Sequence, residues 1–566
     1  MNLPSARSPW GARMAVLAPL ASGRWGMALA LVAGGLQAAS LAWPMSVESS
    51  ALTLLGLRPG QPVWWLQLLA LALLAGLLQD CRVPTDSTPA NAFWRRAALR
   101  GWLFGTAWLA GTFWWLFVAM HTYGGLPAIL AALAVFALAG LLALYYGAAC
   151  ALFVALAPVS RSFAAILFAA LWVGAELARG RWLTGFGWGA AGYAHVDGPL
   201  AGFAPWLGLY GLCALSAWLV MAGVQWVRPE PASSARTGRA RAWGLPVVLL
   251  LLLTLPAVYR LIQPAMSESA GTLSVTLLQG NIPQDEKFEA GTGVPLALKW
   301  YAEQLQASRT ALVIAPETAI PLLPQQLPAP YWAALQQRFA SGQQAALLGM
   351  PLGNFDAGYT NSVVGFKPGQ MQPWRYDKHH LVPFGEFIPP FFKWFTAMMN
   401  IPLGDFNRGE LGQAPFEWQG QRLAPNVCYE NLFSEELGLL FSDPARAPTI
   451  FANVSNLGWF GGGLALDQHL QIARLRALEF ERPFVLATNT GATAIVDHRG
   501  RIQSALARNT RAVLVGAVEG RTGVTPYAWW VSRVGLWPYW LLVAAIVALA
   551  ARKTLRKRPS ALGMTC

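Results

Sequence analysis

The feature that most constrains this chain is a series of long apolar runs, because a bilayer-spanning helix needs about 20 mostly apolar residues and soluble folds rarely supply them repeatedly. Runs bounded by charge or by Gly and Pro lie at 26–43, 62–78, 101–120, 127–148, 161–178, 205–227, 243–262 and 534–551. They predict a multi-span α-helical membrane domain of about eight transmembrane helices. The apolar stretch 125–157 has no polar turn at its centre, so it is expected to form one long helix rather than two. With 55% hydrophobic and 12% charged residues, a purely soluble chain and a disordered one are both excluded.

The formal charge of +14 suggests a polynucleotide partner until the charges are located. Residues 268–525 hold 19 Lys and Arg against 21 Asp and Glu, a net of −2, whereas the rest of the chain holds 22 against 6. The basic excess therefore borders the spans, which orients a membrane protein and leaves no basic face for nucleic acid. Arg7, Arg13 and Arg24 precede the first run, and Arg82, Arg95, Arg96 and Arg100 fill the second loop. Arg228, Arg236, Arg239 and Arg241 fill the sixth, and Arg552, Lys553, Arg556, Lys557 and Arg558 follow the last. With eight spans these clusters share one face, so both termini are expected in the cytoplasm and residues 268–525 outside it. Arg179 and Arg181 oppose the bias. The N-terminal run also has the makeup of a signal peptide, with small residues at 38–42, and its removal would leave seven spans without moving the outer domain.

The expected division is a membrane domain at 1–265, an α/β domain at 266–527, and a final span with a basic tail at 528–566. Within the middle part, strands are predicted at 273–278, 311–314, 345–348, 361–366, 423–427, 449–454, 484–488, 494–497 and 512–518, and helices at 293–308, 331–341 and 465–481. There is no internal repeat.

Of five cysteines, Cys150 and Cys213 fall in spans, Cys81 and Cys566 on the cytoplasmic side, and Cys428 alone in the outer domain. A lone Cys is ordinarily a small buried hydrophobe. Cys428, however, ends an apolar strand, where α/β folds place reacting groups, and Tyr429, Glu430 and Asn431 follow it. A nucleophilic thiol needs a base and an oxyanion donor. Glu317 ends the apolar run LVIAPE, and Lys378 and Glu386 stand in YDKHHLVPFGEFIP; each alone reads as a solvated structural charge. His379 and His380 are adjacent, a poor spacing for chelation, His469 and His498 stand alone, and the GGG at 461–463 lacks the Lys of a phosphate loop, so no metal and no cofactor is expected. The tryptophans read as interfacial anchors, with Trp114, Trp115 and Trp188 as candidates for lipid contact, and the aromatic segment 387–395 as a candidate wall of a lipid entrance.

Taken together, APET, YDKHHLVPFGE and CYEN resemble the nitrilase superfamily of carbon-nitrogen hydrolases, and the flanking spans resemble its membrane members, the apolipoprotein N-acyltransferases. The resemblance extends to LLQGNIPQ at 277–284, ELARGRWLTGFGW at 176–188, NVSN and WFG within 453–461, and the run from HLQIARLRALEF to Gly500. It implies Cys428 as nucleophile, Glu317 as general base and Lys378 as the oxyanion-side cation, with Tyr429 offering its backbone N–H and Glu386 and Glu430 in support. It implies an extracytoplasmic nitrilase-like α-β-β-α sandwich and a monomeric enzyme of the bacterial inner membrane. The implied reaction takes an acyl chain from a phospholipid donor through a thioester to the α-amine of a diacylglyceryl apolipoprotein acceptor. A membrane-tethered amidase and a non-catalytic scaffold are the competing readings. Leu457 and Gly458 depart from the family's usual Asp and Ala, Phe288 from a usual Trp, and Gly187 from a usual Pro, all away from the three reacting side chains.

Overall fold

The computed structural model describes residues 23–46, 50–81, 90–157, 160–227, 254, 265–354, 356–388 and 406–556. The expected span at 243–262, Arg7, Arg13, Arg82, the Arg228 to Arg241 loop, Lys557, Arg558, Cys566 and residues 389–395 of the aromatic segment lie outside them.

Helices α1 (Gly23–Leu41), α2 (Trp64–Asp80), α3 (Ala90–Thr112), α4 (Ala128–Leu156), α5 (Arg161–Arg181) and α6 (Ala204–Val227) occupy the first six apolar runs. Among the described residues four helices are long and apolar enough to cross a bilayer: Ala128–Leu156, Arg161–Arg181, Pro199–Val227 and the C-terminal Trp537–Leu555. The 125–157 stretch is one helix, as its unbroken apolarity predicts. The run at 101–120 is not one straight span. Its helix breaks after Thr112 and resumes at 54°, ending in a π-helical turn at Ala119–Tyr123. Thr112 Oγ1 bonds back to the Trp108 carbonyl at 2.8 Å, a bond that bends helices, at the point where the chain turns.

Arg179 and Arg181, which opposed the charge bias, have local explanations. Arg179 is buried and donates to Glu176 at 2.8 Å, to Tyr146 Oη at 2.9 Å and to the carbonyls of Phe186 and Trp188. It is a structural cation closing the loop after α5. Arg181 pairs with Glu435 of the α/β domain at 2.7 Å.

The α/β domain holds two six-stranded sheets, ordered β12-β1-β2-β3-β4-β5 and β11-β10-β9-β8-β7-β6. In chain order the strands are β1 Glu268–Gln279, β2 Leu312–Ile314, β3 Ala345–Asn354, β4 Gly358–Phe366, β5 Trp374–Asp377, β6 Phe416–Trp418, β7 Gln421–Val427, β8 Ile450–Ser455, β9 Phe484–Thr488, β10 Ala494–Val496, β11 Ile502–Ala505 and β12 Ala512–Thr522. Alternation sorts the first sheet's side chains. Val313, Ala346, Leu348, Val364 and Phe366 meet α7 (Gly293–Ala307) and α8 (Ala329–Ala340). Their neighbours Leu312, Ile314, Ala345, Leu347 and Val363 join the core shared with Leu423, Val427 and Val454 of the second sheet. Helix α9 (Leu464–Phe480), between the second sheet and the membrane helices, completes the sandwich.

Helix α9 is also where the two parts of the molecule meet. Gln468 Oε1 accepts the indole N–H of Trp115 at 3.1 Å and of Trp188 at 2.7 Å, and Gln471 donates to the Gly60 carbonyl at 3.2 Å. Arg474 binds Asp197 at 2.9 Å. A kink at Gly208 (φ 63°) in α6 frees the Leu209 N–H, which Glu479 takes at 2.6 Å. Glycine is required there, since a Cβ would lie 2.3 Å from the Tyr527 ring. The loops after α1, α3 and α5 therefore share the α/β domain's side of the helical bundle. The partners on those loops also correct the expectation for Trp115 and Trp188, which are buried docking residues, while Trp114 is 45% exposed and stacks on Phe117.

Candidate active site

Strands of both sheets carry the candidate groups at their C-terminal ends. Glu317 follows β2, Lys378 follows β5, Cys428 follows β7 and Asn456 follows β8. All six residues singled out from sequence gather in this region, each under 9% exposed.

Cys428 adopts φ +55°, a left-handed conformation disfavoured for a side chain with Cβ and common where a strand turns sharply to present a nucleophile. The turn is held by its carbonyl, which accepts Asn453 Nδ2 at 2.8 Å and lies 3.2 Å from His469 Nε2. The Tyr429 main-chain N–H donates to the sulfur. Burial, aided by the Glu317 carboxylate and opposed by Lys378, pushes the thiol well above its ordinary value, so it rests protonated and needs a base.

Glu317 is fixed at both oxygens: Oε1 accepts Asn361 Nδ2 at 2.7 Å and Oε2 accepts the Asn456 main-chain N–H at 2.8 Å. Lys378 Nζ lies 2.9 and 2.8 Å from the two oxygens of Glu386 and 3.6 Å from Glu317. Burial works against its ammonium, but the carboxylates of Glu386 and Glu317 outweigh it and hold the lysine above its ordinary value. Asn361 Nδ2 also reaches Glu386 at 2.6 Å, and the Val382 N–H binds the second Glu386 oxygen at 2.8 Å.

Glu430 is engaged by main-chain donors rather than by the Lys378 ammonium. It accepts the main-chain N–H groups of Val427, His379 and His380 and the Tyr376 hydroxyl, at 2.7, 2.7, 3.0 and 2.9 Å. It thereby ties the Lys378 segment to the Cys428 turn. Tyr429 does likewise through its hydroxyl, which donates to the Leu381 carbonyl at 2.8 Å.

Four residues of the site escaped the sequence reading. Asn361 lies inside an apolar strand, where a buried amide was the available signal. Asn456 closes the NVSN motif. His469 is buried, stacks on Trp188 with ring centres 6.1 Å apart, and is pushed down to about 4 by burial. Lys287 sits among acidic residues that suggest a solvated turn, yet it is 1% exposed. Of the four departing residues, Leu457 is fully buried and packs in the core, a Cβ at Gly458 would lie 3.0 Å from Gln284 Oε1, the Phe288 ring centre lies 6.0 Å from Lys287 Nζ, and an added Cβ at Gly187 would lie 3.8 Å from Gly180.

Residues 49–224 match the family described as "Apolipoprotein N-acyltransferase N-terminal domain" and residues 274–527 match "Carbon-nitrogen hydrolase". Similar full-length proteins carry the name apolipoprotein N-acyltransferase. One from Verminephrobacter eiseniae is 56% identical over 90% of this chain and 94% of its own. One from Ralstonia nicotianae is 42% identical, covering 88% and 90%, and one from Bordetella bronchiseptica is 42% identical, covering 82% and 89%. The chain belongs to the apolipoprotein N-acyltransferase family, with a nitrilase-like carbon-nitrogen hydrolase domain joined to a helical N-terminal region.

Proposed function

We propose that this protein N-acylates lipoproteins through a thioester on Cys428, as the final step of their maturation. The observation that carries the reading is a buried thiol on a strained strand exit, beside a fixed carboxylate and a paired ammonium, in a domain docked onto apolar helices.

In the first half-reaction Glu317 accepts the Cys428 proton while sulfur attacks the ester carbonyl of a phospholipid acyl chain. Lys378 and the Tyr429 N–H stabilise the resulting oxyanion. Collapse breaks the ester C–O bond, and the departing lysophospholipid alkoxide takes the proton from Glu317. In the second, the α-amine of a diacylglyceryl N-terminal Cys attacks the thioester carbonyl and gives its proton to Glu317. The C–S bond then breaks, the amide is released and sulfur regains the proton.

The reading extends to eight spans including 243–262, domain limits of 1–265, 266–527 and 528–566, and a monomer in the bacterial inner membrane. The catalytic domain would face the periplasm and both termini the cytoplasm, as the basic clusters favour. Tethering supports this assignment, because both substrates are membrane-anchored and meet the domain at high effective concentration.

The test is the intact mass of the purified protein after incubation with a defined phospholipid, then with a diacylated lipopeptide, beside Cys428→Ala. A gain of one acyl mass that needs Cys428 and moves to the lipopeptide is expected. An adduct discharged only to water would favour the amidase instead.

A further inference from the structure

Lys378 is one cation at Glu317, and a second buried cation, Lys287, also reaches it. Lys287, on the segment after β1, donates from Nζ to the Glu317 main-chain carbonyl at 3.1 Å. Its charge lies within electrostatic reach of the Glu317 carboxylate and the Cys428 sulfur. Among the described residues it forms no ion pair of its own, whereas Lys378 is engaged by both oxygens of Glu386. The residue after Glu317, Thr318, is in the left-handed region at φ +47°, so the base sits at a strained strand exit that this bond helps to hold.

Charge counting explains why a second cation is useful. Glu317, Glu386 and Lys378 together bring two carboxylates and one ammonium into a buried space. Moving the Cys428 proton to Glu317 keeps that excess negative charge and transfers it to sulfur, then to the acyl oxygen. Buried excess charge is costly unless paired. Glu430 adds no unmet demand, because four donors already fill its oxygens.

We propose that Lys287 is a positioning residue of this site: its ammonium neutralises the buried Glu317, Glu386 and Lys378 cluster, and its bond to the Glu317 carbonyl fixes the base. The catalytic consequence rests on the acyl-transfer reading; the electrostatic part concerns the thiol alone. The titratable groups acting on Lys287 are Glu317 from the β2 exit and Cys428 from the β7 exit; Glu317 in turn lies 3.6 Å from Lys378, which holds Glu386, and Asp285 and Glu286 precede Lys287 on its own turn. Burial lowers Lys287 to about 7, against the attraction of Glu317 and Cys428, so the counter-charge is full in mildly acidic solution and withdrawn in alkaline solution.

The experiment compares Lys287→Met, Lys287→Gln and Lys287→Arg in the full chain, each checked for native melting. Alkylation of Cys428 by iodoacetamide at about pH 6.5 is followed by peptide mass mapping, which separates this thiol from the other cysteines. Loss of the charge should slow alkylation about tenfold in the Met and Gln variants, while Arg stays within about twofold of the unsubstituted protein. Adduct formation from phospholipid should fall in parallel and be rescued by Arg. Unchanged alkylation in both neutral variants that fold, or an Arg variant as slow as Met, overturns the proposal. Should the unsubstituted protein form no acyl adduct at all, the acyl-transfer reading fails, and the alkylation comparison still decides the role of Lys287.

Discussion

Lys378 contacts both carboxylate oxygens of Glu386, at 2.9 and 2.8 Å, and stands 3.6 Å from the nearer oxygen of Glu317. The ammonium is thus held chiefly by Glu386, which leaves Glu317 the less tightly paired of the two carboxylates. Glu386→Gln removes the holding charge and transfers the pull of Lys378 to Glu317, weakening it as a base. We expect acyl-enzyme formation to fall about a hundredfold, read as the rate of adduct growth by mass. A rate within a factor of about three of the parent would mean that Glu386 does not set the pairing of Lys378.

Gly349, in β3, lies against the backbone of Pro316 and Glu317. A Cβ there would meet the Pro316 carbonyl oxygen at 2.3 Å and the Glu317 Cα at 2.6 Å, both backbone atoms that cannot step aside. Gly349→Ala should cost about 3 kcal/mol of stability by overpacking. By displacing Glu317 it should also slow adduct formation about a hundredfold, with Cys428 still present and alkylatable. Undiminished adduct formation would show that β3 does not fix the base.

Among the contacts that dock α9, one amide takes two buried indoles. Gln468→Leu leaves the buried indole N–H groups of Trp115 and Trp188 without their acceptor. The expected cost is about 2 kcal/mol or more, seen as a lower melting temperature in detergent. Gln468→Glu keeps the acceptor oxygens and should lose less. Equal melting of the Leu variant and the parent would contradict a docking role for Gln468.

His469 gives the acid side of the stability profile a definite sign. Its folded value is about 4, lowered by burial, against an ordinary value of 6.5, so between these the unfolded chain binds more protons. Stability from this residue is present above about pH 6.5 and is lost as pH falls through about 4, to a total of about 3 kcal/mol. His469→Gln should flatten the slope of melting temperature against pH across that window. A slope identical to that of the parent would mean that other groups carry the acid sensitivity.

Much of the α/β domain was legible in sequence because its strands are buried. All nine predicted strands and all three predicted helices are present, with ends shifted by a few residues. The three strands that escaped, Trp374–Asp377, Phe416–Trp418 and Ile502–Ala505, all lie at sheet edges. Edge strands pair on one side only and remain partly open to solvent, as the exposed pattern of Ile502–Ala505 shows, so they carry little hydrophobic periodicity. Spans were equally legible where apolarity was unbroken, as in Ala128–Leu156. They were misread as straight where a side chain bonds back to its own helix at Thr112.

By itself the sequence determined the apolar runs, nine of the twelve strands of the α/β domain, and the short contexts around Glu317, Lys378 and Cys428. Those features are written in local periodicity and in neighbours a few residues apart. Only the tertiary structure decided that Lys378 pairs with Glu386 more closely than with Glu317, that Arg179 is consumed by Glu176 rather than orienting the chain, and that Lys287 is buried against the Glu317 carbonyl. These are distances between residues far apart along the chain or burial imposed by packing, and the energy of a charge depends on both its neighbours and its access to water.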